Sequence, residues 1–203
     1  MSRLPPALLL SLLVLAGCGD RQPPLPPLTP DAVILAFGDS LTHGNGAGAS
    51  EDYPAVLARL TGRTVINAGV PGEQSRAGRE RLPAVLDAQD PDLMVLIHGG
   101  NDLLHNRAPA EIKASLRAMV ELARERGVAA VLLGVPKPGL LLRPHPLYGE
   151  LADELALPYD ADTLAEILSD RELKSDQIHP NAAGYARLAG AVQRLLRETG
   201  ALP

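Results

Sequence analysis

Short apolar runs alternate with stretches of helical periodicity along most of this chain. In residues 32–37 nearly every side chain is apolar, as in a strand buried on both faces. Residues 53–60 place Tyr53, Val56, Leu57 and Leu60 at helical spacing, and 64–67 is a short β-branched strand. Residues 75–86 read as a helix whose last turn is complicated by Pro83. The clearest strand is 93–97, continuous in apolar residues and bounded by Pro91 and Gly99-Gly100. Next comes an amphipathic helix over 109–126, with Ile112, Leu116, Met119, Val120 and Ala123 on one face and Gly127 as its stop. A fourth strand is predicted at 128–135, a loop at 137–146, a short helix at 147–156 and a weak fifth strand at 157–159. One or two helical turns at 163–168 precede a closing helix over 182–198, striped by Tyr185, Leu188, Ala189, Val192 and Leu196. Strands alternating with helices predict a three-layer α/β/α sandwich with about five parallel strands.

Residues 1–30 break this pattern. Arg3 and the apolar run at 8–16, too short to span a bilayer as a helix, form an export signal. The run ends in Leu15-Ala16-Gly17-Cys18, which resembles the lipobox of bacterial lipoproteins. That resemblance implies a lipidated Cys18 at the mature N-terminus, and Gly19 in place of Asp implies sorting to the outer membrane. The other reading is an ordinary signal peptide with an unrelated Cys. Cys18 is the single cysteine, so no intramolecular disulfide forms. The prolines of Pro23-Pro24-Leu25-Pro26-Pro27 and Pro30 exclude helix and central strand and suit a semi-rigid spacer that holds a domain off a membrane. The expected organisation is a signal peptide at 1–17, a lipidated Cys and linker at 18–30, and one domain at 31–203 facing the periplasm.

Composition narrows the function classes. The 46% apolar and 21% charged residues are those of a globular domain. A net charge of −5 offers no footprint for nucleic acid. With one Phe, four Tyr and no Trp, the core must be aliphatic, and a sugar- or base-stacking platform is disfavoured.

Four loop segments carry the candidate chemistry: Gly38-Asp39-Ser40-Leu41, Asn67 to Gly72, Gly99-Gly100-Asn101-Asp102, and Asp176-Gln177-Ile178-His179. The first three leave strands at one edge of a parallel sheet, where open α/β folds place their ligands. A serine hydroxyl is a weak nucleophile until a neighbouring base takes its proton, and His suits that task at neutral pH. The His needs a carboxylate on its other nitrogen to fix tautomer and orientation. Asp176 and His179, close in one turn, can meet unaided. A developing oxyanion needs donors, and a glycine N–H, an Asn amide and the N–H of Ser40 itself are suitable. Asp39 braces its loop, and His98 supports the site or lines its wall. His43, His105 and His145 sit in loops without metal spacing. No His-Glu-x-x-His, Gly-x-Ser-x-Gly or dinucleotide fingerprint occurs.

These four blocks, in this order, resemble those of the SGNH (GDSL) hydrolase family, and the match spans nearly all of the domain. The Asn-Ala-Gly-Val-Pro-Gly loop is most similar to the bacterial arylesterase, acyl-CoA thioesterase and lysophospholipase branch. The resemblance implies a flavodoxin-like sandwich with strand order 2-1-3-4-5. It implies Ser40 as nucleophile, His179 as base, Asp176 as its orienter, and Ser40, Gly72 and Asn101 as oxyanion donors, with Gly69 the rival of Gly72. No metal or organic cofactor is required. A small ester or thioester is the implied substrate, with membrane attachment through the lipid and a monomer as the expected state. The alternatives are a carbohydrate O-acetylesterase of the same superfamily and a non-catalytic lipid-binding lipoprotein. The apolar segment Gly139-Leu140-Leu141-Leu142 either lines an acyl pocket or belongs to the core.

Overall fold

The computed structural model describes residues 22–137, 139 and 142–203. Cys18 and the export signal lie outside the described residues, as do Leu140 and Leu141.

Five parallel strands form one sheet in the order β2-β1-β3-β4-β5. They are β1 (Val33–Gly38), β2 (Thr64–Gly69), β3 (Leu93–Ile97), β4 (Ala129–Leu133) and β5 (Tyr159–Asp160). The three interior strands, β1, β3 and β4, are buried along almost their whole length, which is why they read as unbroken apolar runs. They pair in register from Ile34 opposite Leu93 to Gly38 opposite Ile97. On one face lie α2 (Tyr53–Thr61) and α8 (Ala182–Glu198), packed on each other. On the other face α5 (Pro109–Glu125) packs between α3 (Ser75–Gln89) and α6 (Pro146–Leu155). The chain reverses its direction of progress across the sheet between β1 and β3. A crevice opens there at the strand C-termini.

Four details depart from the sequence pattern. Two stretches read as loop are short helices, α1 (Ser40–His43) and α4 (Gly100–Leu104). α1 exists because the Asp39 side chain caps Leu41 N–H, and Gly44 ends it with φ 100°. α3 runs to Gln89 past Pro83, because buried Leu82 and Leu86 hold the helix against its neighbours despite the missing donor. β5 is shifted toward Asp160 and is only two residues long, with Tyr159 opposite Leu132. Residues 22–29 form neither helix nor strand, and they are docked on the domain rather than standing free. Leu25 N–H and Leu28 N–H donate to Thr199 O and Ala201 O, both at 2.9 Å, and the two leucines pack against the core. The short α7 (Thr163–Ser169) completes the element list. Among the described residues no helix is long and apolar enough to cross a membrane.

Candidate active site

Ser40 follows β1 by two residues and opens α1, so the sheet fixes its position and its own N–H has no intrahelical partner. The loop ahead of it depends on space: a Cβ on Gly38 would lie 2.0 Å from Ile97 O. Asp39 is buried, with Oδ1 accepting from Leu41 N–H at 3.0 Å and Oδ2 unpaired. Burial pushes its carboxyl above the usual range, against the pull of His98 and of the Leu41 hydrogen bond. The glycine loop after α1 is tied down by Tyr185, whose hydroxyl donates to Asn45 O at 2.8 Å.

His179 and Asp176 arrive from the loop before α8. An antiparallel bridge between Lys174 and Pro180 closes that loop, and Ser175 N–H donates to His179 O at 3.0 Å. Asp176 Oδ1 accepts from the N–H groups of Ile178 and His179, each at 2.8 Å, which leaves Oδ2 facing the ring. His179 Nδ1 is 2.8 Å from Asp176 Oδ2, and its Nε2 is 3.0 Å from Ser40 Oγ. A carboxylate can only accept, so Nδ1 carries the proton and Nε2 is the acceptor for the Ser40 hydroxyl. Burial pushes the Asp176 carboxyl up, but the hydrogen bonds from His179 and from the two N–H groups outweigh it and hold it below the ordinary carboxylate range.

The remaining two blocks meet the serine across one cleft of about 170 Å³, lined by Ser40, Gly72, Asn101 and His179 together. Gly72 is the third residue of a Val70-Pro71-Gly72-Glu73 turn closed by Glu73 N–H to Val70 O at 3.2 Å. Its φ of 78° suits glycine at that position, and its own N–H has no partner among the described residues. Gly69 differs. Its N–H is taken by Asn67 Oδ1 at 3.0 Å, and a Cβ there would lie 2.1 Å from His43 N. Gly69 therefore allows a close backbone approach, while Gly72 lines the cleft with its N–H unpaired among the described residues. Asn101, on α4 just beyond β3, donates one amide hydrogen to Glu73 O at 3.0 Å and keeps the other. Apolar cover comes from Leu41, Leu104, Val135, Leu142, Leu168 and Ile178. Leu142 thus lines the cleft.

The other histidines lie elsewhere. His98 is fully buried and contacts Glu73. His43 bonds Asn45, His105 bonds Asn101 O, and His145 caps α6 at Leu147 N–H. Among the described residues no group of His, Cys, Asp and Glu is arranged to hold a metal. Sequence reasoning passed over the pairing of Glu73 with Arg81, a half-buried ion pair whose only signal is two opposite charges, one just ahead of α3 and one inside it.

A hydroxyl, an imidazole and a carboxylate in hydrogen-bonded series beside unpaired donors define a serine hydrolase. Comparison with known proteins agrees. The profile of the GDSL-like Lipase/Acylhydrolase family matches residues 36–187, so this chain belongs to that family. It is 31% identical to esterase TesA of Pseudomonas aeruginosa over 76% of this chain and 83% of that one. It is 30% identical to a thioesterase 1/protease 1/lysophospholipase of Escherichia coli over 73% of this chain and 75% of that one. The crystal structure of TesA superposes with a TM-score of 0.75 at 29% identity, covering 82% of this chain and 99% of that one. This chain is an ester hydrolase of the family.

Proposed function

We propose that the protein hydrolyses carboxylic esters or thioesters, of the kind named for its relatives, through an acyl-enzyme on Ser40. The observation that carries this is the Ser40–His179–Asp176 series, closed at 3.0 and 2.8 Å and sharing one cleft with the free N–H of Gly72 and the amide of Asn101. Ser40 Oγ attacks the acyl carbonyl as its proton passes to His179 Nε2. The oxyanion that forms is met by the N–H groups of Ser40 and Gly72 and by Asn101 Nδ2. His179 then gives its proton to the leaving alcohol or thiol. A water, deprotonated by His179, attacks the acyl-serine, and collapse returns the proton to Ser40 and frees the acid. Asp176 holds the ring and stabilises the imidazolium without taking its proton. The mostly apolar wall suits an acyl chain.

A serine-directed alkyl phosphonate is expected to label the wild type stoichiometrically and the Ser40→Ala variant not at all. Failure to label the wild type would revive a non-catalytic lipid-binding role. A panel of p-nitrophenyl acyl esters, acyl-CoA, lysophospholipid and acetylated sugars sorts the substrate class. Turnover confined to the acetylated sugars would replace the acyl esterase by a carbohydrate O-acetylesterase.

The reading extends to location. The export signal and the Leu15-Ala16-Gly17-Cys18 sequence support an enzyme lipid-anchored at Cys18 and facing the periplasm. Cys18→Ala is expected to abolish fatty-acid labelling and to release the enzyme from membrane fractions. Wild-type protein that carries no lipid would end this part of the proposal.

A further inference from the structure

Behind the cleft lies a set of charged side chains that the hydrolysis steps do not use. Glu73, the residue after Gly72, sends its carboxylate inward. Arg81 of α3 grips it with two hydrogen bonds, Nε to Oε1 at 2.9 Å and Nη2 to Oε2 at 2.7 Å. His98, just beyond β3, reaches Oε2 with Nε2 at 3.2 Å. The Glu73 side chain is 8% exposed and that of His98 0%.

Each partner is itself held from a different strand. The Arg81 guanidinium donates to Ala68 O of β2 at 3.1 Å and lies over the Phe37 ring of β1, 4.2 Å from its centroid. Gly99 N–H donates to His98 Nδ1 at 2.9 Å, which fixes the tautomer with its proton on Nε2, facing Glu73. Tyr148 hydroxyl donates to His98 O at 2.9 Å. The contact needs a glycine in α3, since a Cβ on Gly78 would lie 2.4 Å from His98 Nε2. Burial alone would raise the Glu73 carboxyl. The hydrogen bonds from His98 and Arg81, with the Arg81 charge, outweigh it and hold it down at about 2. Glu73 therefore stays ionised below the ordinary carboxylate range.

The main chain of this same residue orients the cleft. Glu73 N–H closes the turn that presents Gly72, and Glu73 O accepts the first amide hydrogen of Asn101 at 3.0 Å, which decides where the second one points. The turn is already tied at its front, where Val70 N–H donates to Gly38 O at 3.0 Å, and just behind it, where Ser75 bonds Asp102 through N–H and hydroxyl at 2.8 Å. Between those ties the Glu73 carboxylate adds a third hold, to β2 and the end of β3 through Arg81 and His98, at the residue whose main chain meets Asn101. As a source of stability alone a buried ion pair is weak, so its position directly behind both donors is the informative feature.

We infer that Glu73, Arg81 and His98 are positioning residues that set the oxyanion hole of this enzyme by locking the main chain of Glu73 to the strand ends. The inference rests on the proposed roles of Gly72 and Asn101. It predicts a loss in the transition state and not in substrate binding. Glu73→Gln and Arg81→Met are each expected to lower kcat by about 10–100-fold with KM within a few-fold, the scale of a small misplacement of catalytic groups. Binding of an acyl trifluoromethyl ketone, which forms an oxyanion on Ser40, should weaken in parallel. Arg81→Lys should recover part of the rate, since it keeps the charge but not the fork.

The decisive comparison is a double-mutant cycle with Asn101→Ala. Once that amide is gone, Arg81→Met should cost several-fold less than it does in the wild type. Equal losses in both backgrounds, or lower thermal stability with kcat intact, would make the cluster merely structural and overturn the inference. Arg81 is partly exposed, so its variants decide the matter even where Glu73→Gln folds poorly. If Asn101→Ala itself left kcat unchanged, the oxyanion assignment would fall first. A sound Asn101 effect with additive Arg81 losses would fault the lock alone.

Discussion

Asn101 has two amide hydrogens, and the bond to Glu73 O commits one of them. The other is free to meet charge that exists only in the transition state. Removing such a donor costs about 10²–10³ in turnover, or roughly 3–4 kcal/mol. Asn101→Ala is therefore expected to lower kcat by that order with KM within a few-fold, while Ser40 still reacts slowly with a phosphonate. A variant that mainly raised KM would show Asn101 to be a turn residue. Asp176 supports a different measurement. Its hydrogen bonds depress its carboxyl, so it stays charged well below neutrality and is protonated only as pH falls under the ordinary value of 3.8. An acid limb in the pH–rate profile at milder pH then does not come from loss of the Asp176 charge. Asp176→Asn should lower kcat by about 10⁴ at every pH above that limit, because an amide can donate to Nδ1 and favours the wrong tautomer. Retention of most activity would remove Asp176 from the mechanism.

At the scale of elements, α3 and the turn before it tie stability to pH through Glu73. Glu73 is depressed from 4.5 to about 2, so its folded form binds a proton less readily than its unfolded form. Its contribution to stability is then fully present above about pH 4.5 and is lost as pH falls toward 2. The gap in denaturant midpoint between wild type and Glu73→Gln should accordingly close across that window. A gap independent of pH would mean that shape, not charge, holds Glu73. The same region shows what was legible in the sequence. β1 and β3 could be read because burial on both faces leaves an unbroken apolar run, and the glycines and polar residues that follow them marked Ser40 and Asn101. α1 and α4 could not, since four or five residues complete barely one turn and carry no period. The far end of α3 was obscured by Pro83, whose local preference yields to the packing of Leu82 and Leu86. That the Gly69 N–H is bonded while the Gly72 N–H has no partner among the described residues needed coordinates, because both glycines suit a loop. The Glu73–Arg81 pair joins a loop to a helix eight positions on, and no periodicity announces such a contact.

For the whole molecule the unexpected part is the proline-rich strap. Gln22 places its side chain on the edge strand, donating to Tyr159 O at 3.1 Å and accepting from Tyr159 N–H at 3.0 Å. It thereby occupies bonding groups that an open sheet edge would offer to another chain. Leu25 and Leu28 then fasten the strap to the residues that follow α8, and Arg63 donates to Leu28 O at 3.3 Å. The prolines between these contacts hold the segment extended before it docks, which reduces the entropy lost on docking. A segment that reads as a spacer thus closes one side of the domain. If Cys18 carries lipid, the reach left between it and Gln22 is about 14 Å of extended chain, and the domain sits close to the bilayer. The strap makes a separate prediction about the fold. Leu25 and Leu28 are only partly buried, so truncating each to Ala should cost about 1 kcal/mol, less than a fully buried leucine. Together that corresponds to a fall in Tm of roughly 4–8 °C for a domain of this size. The kcat should not change, because the strap touches neither the Ser40 cleft nor the Glu73 lock. Limited proteolysis should cut the double variant ahead of β1 faster than the wild type. An unchanged Tm with equally rapid cleavage of both proteins would show that the strap swings free in solution, and the longer tether of a spacer would be restored.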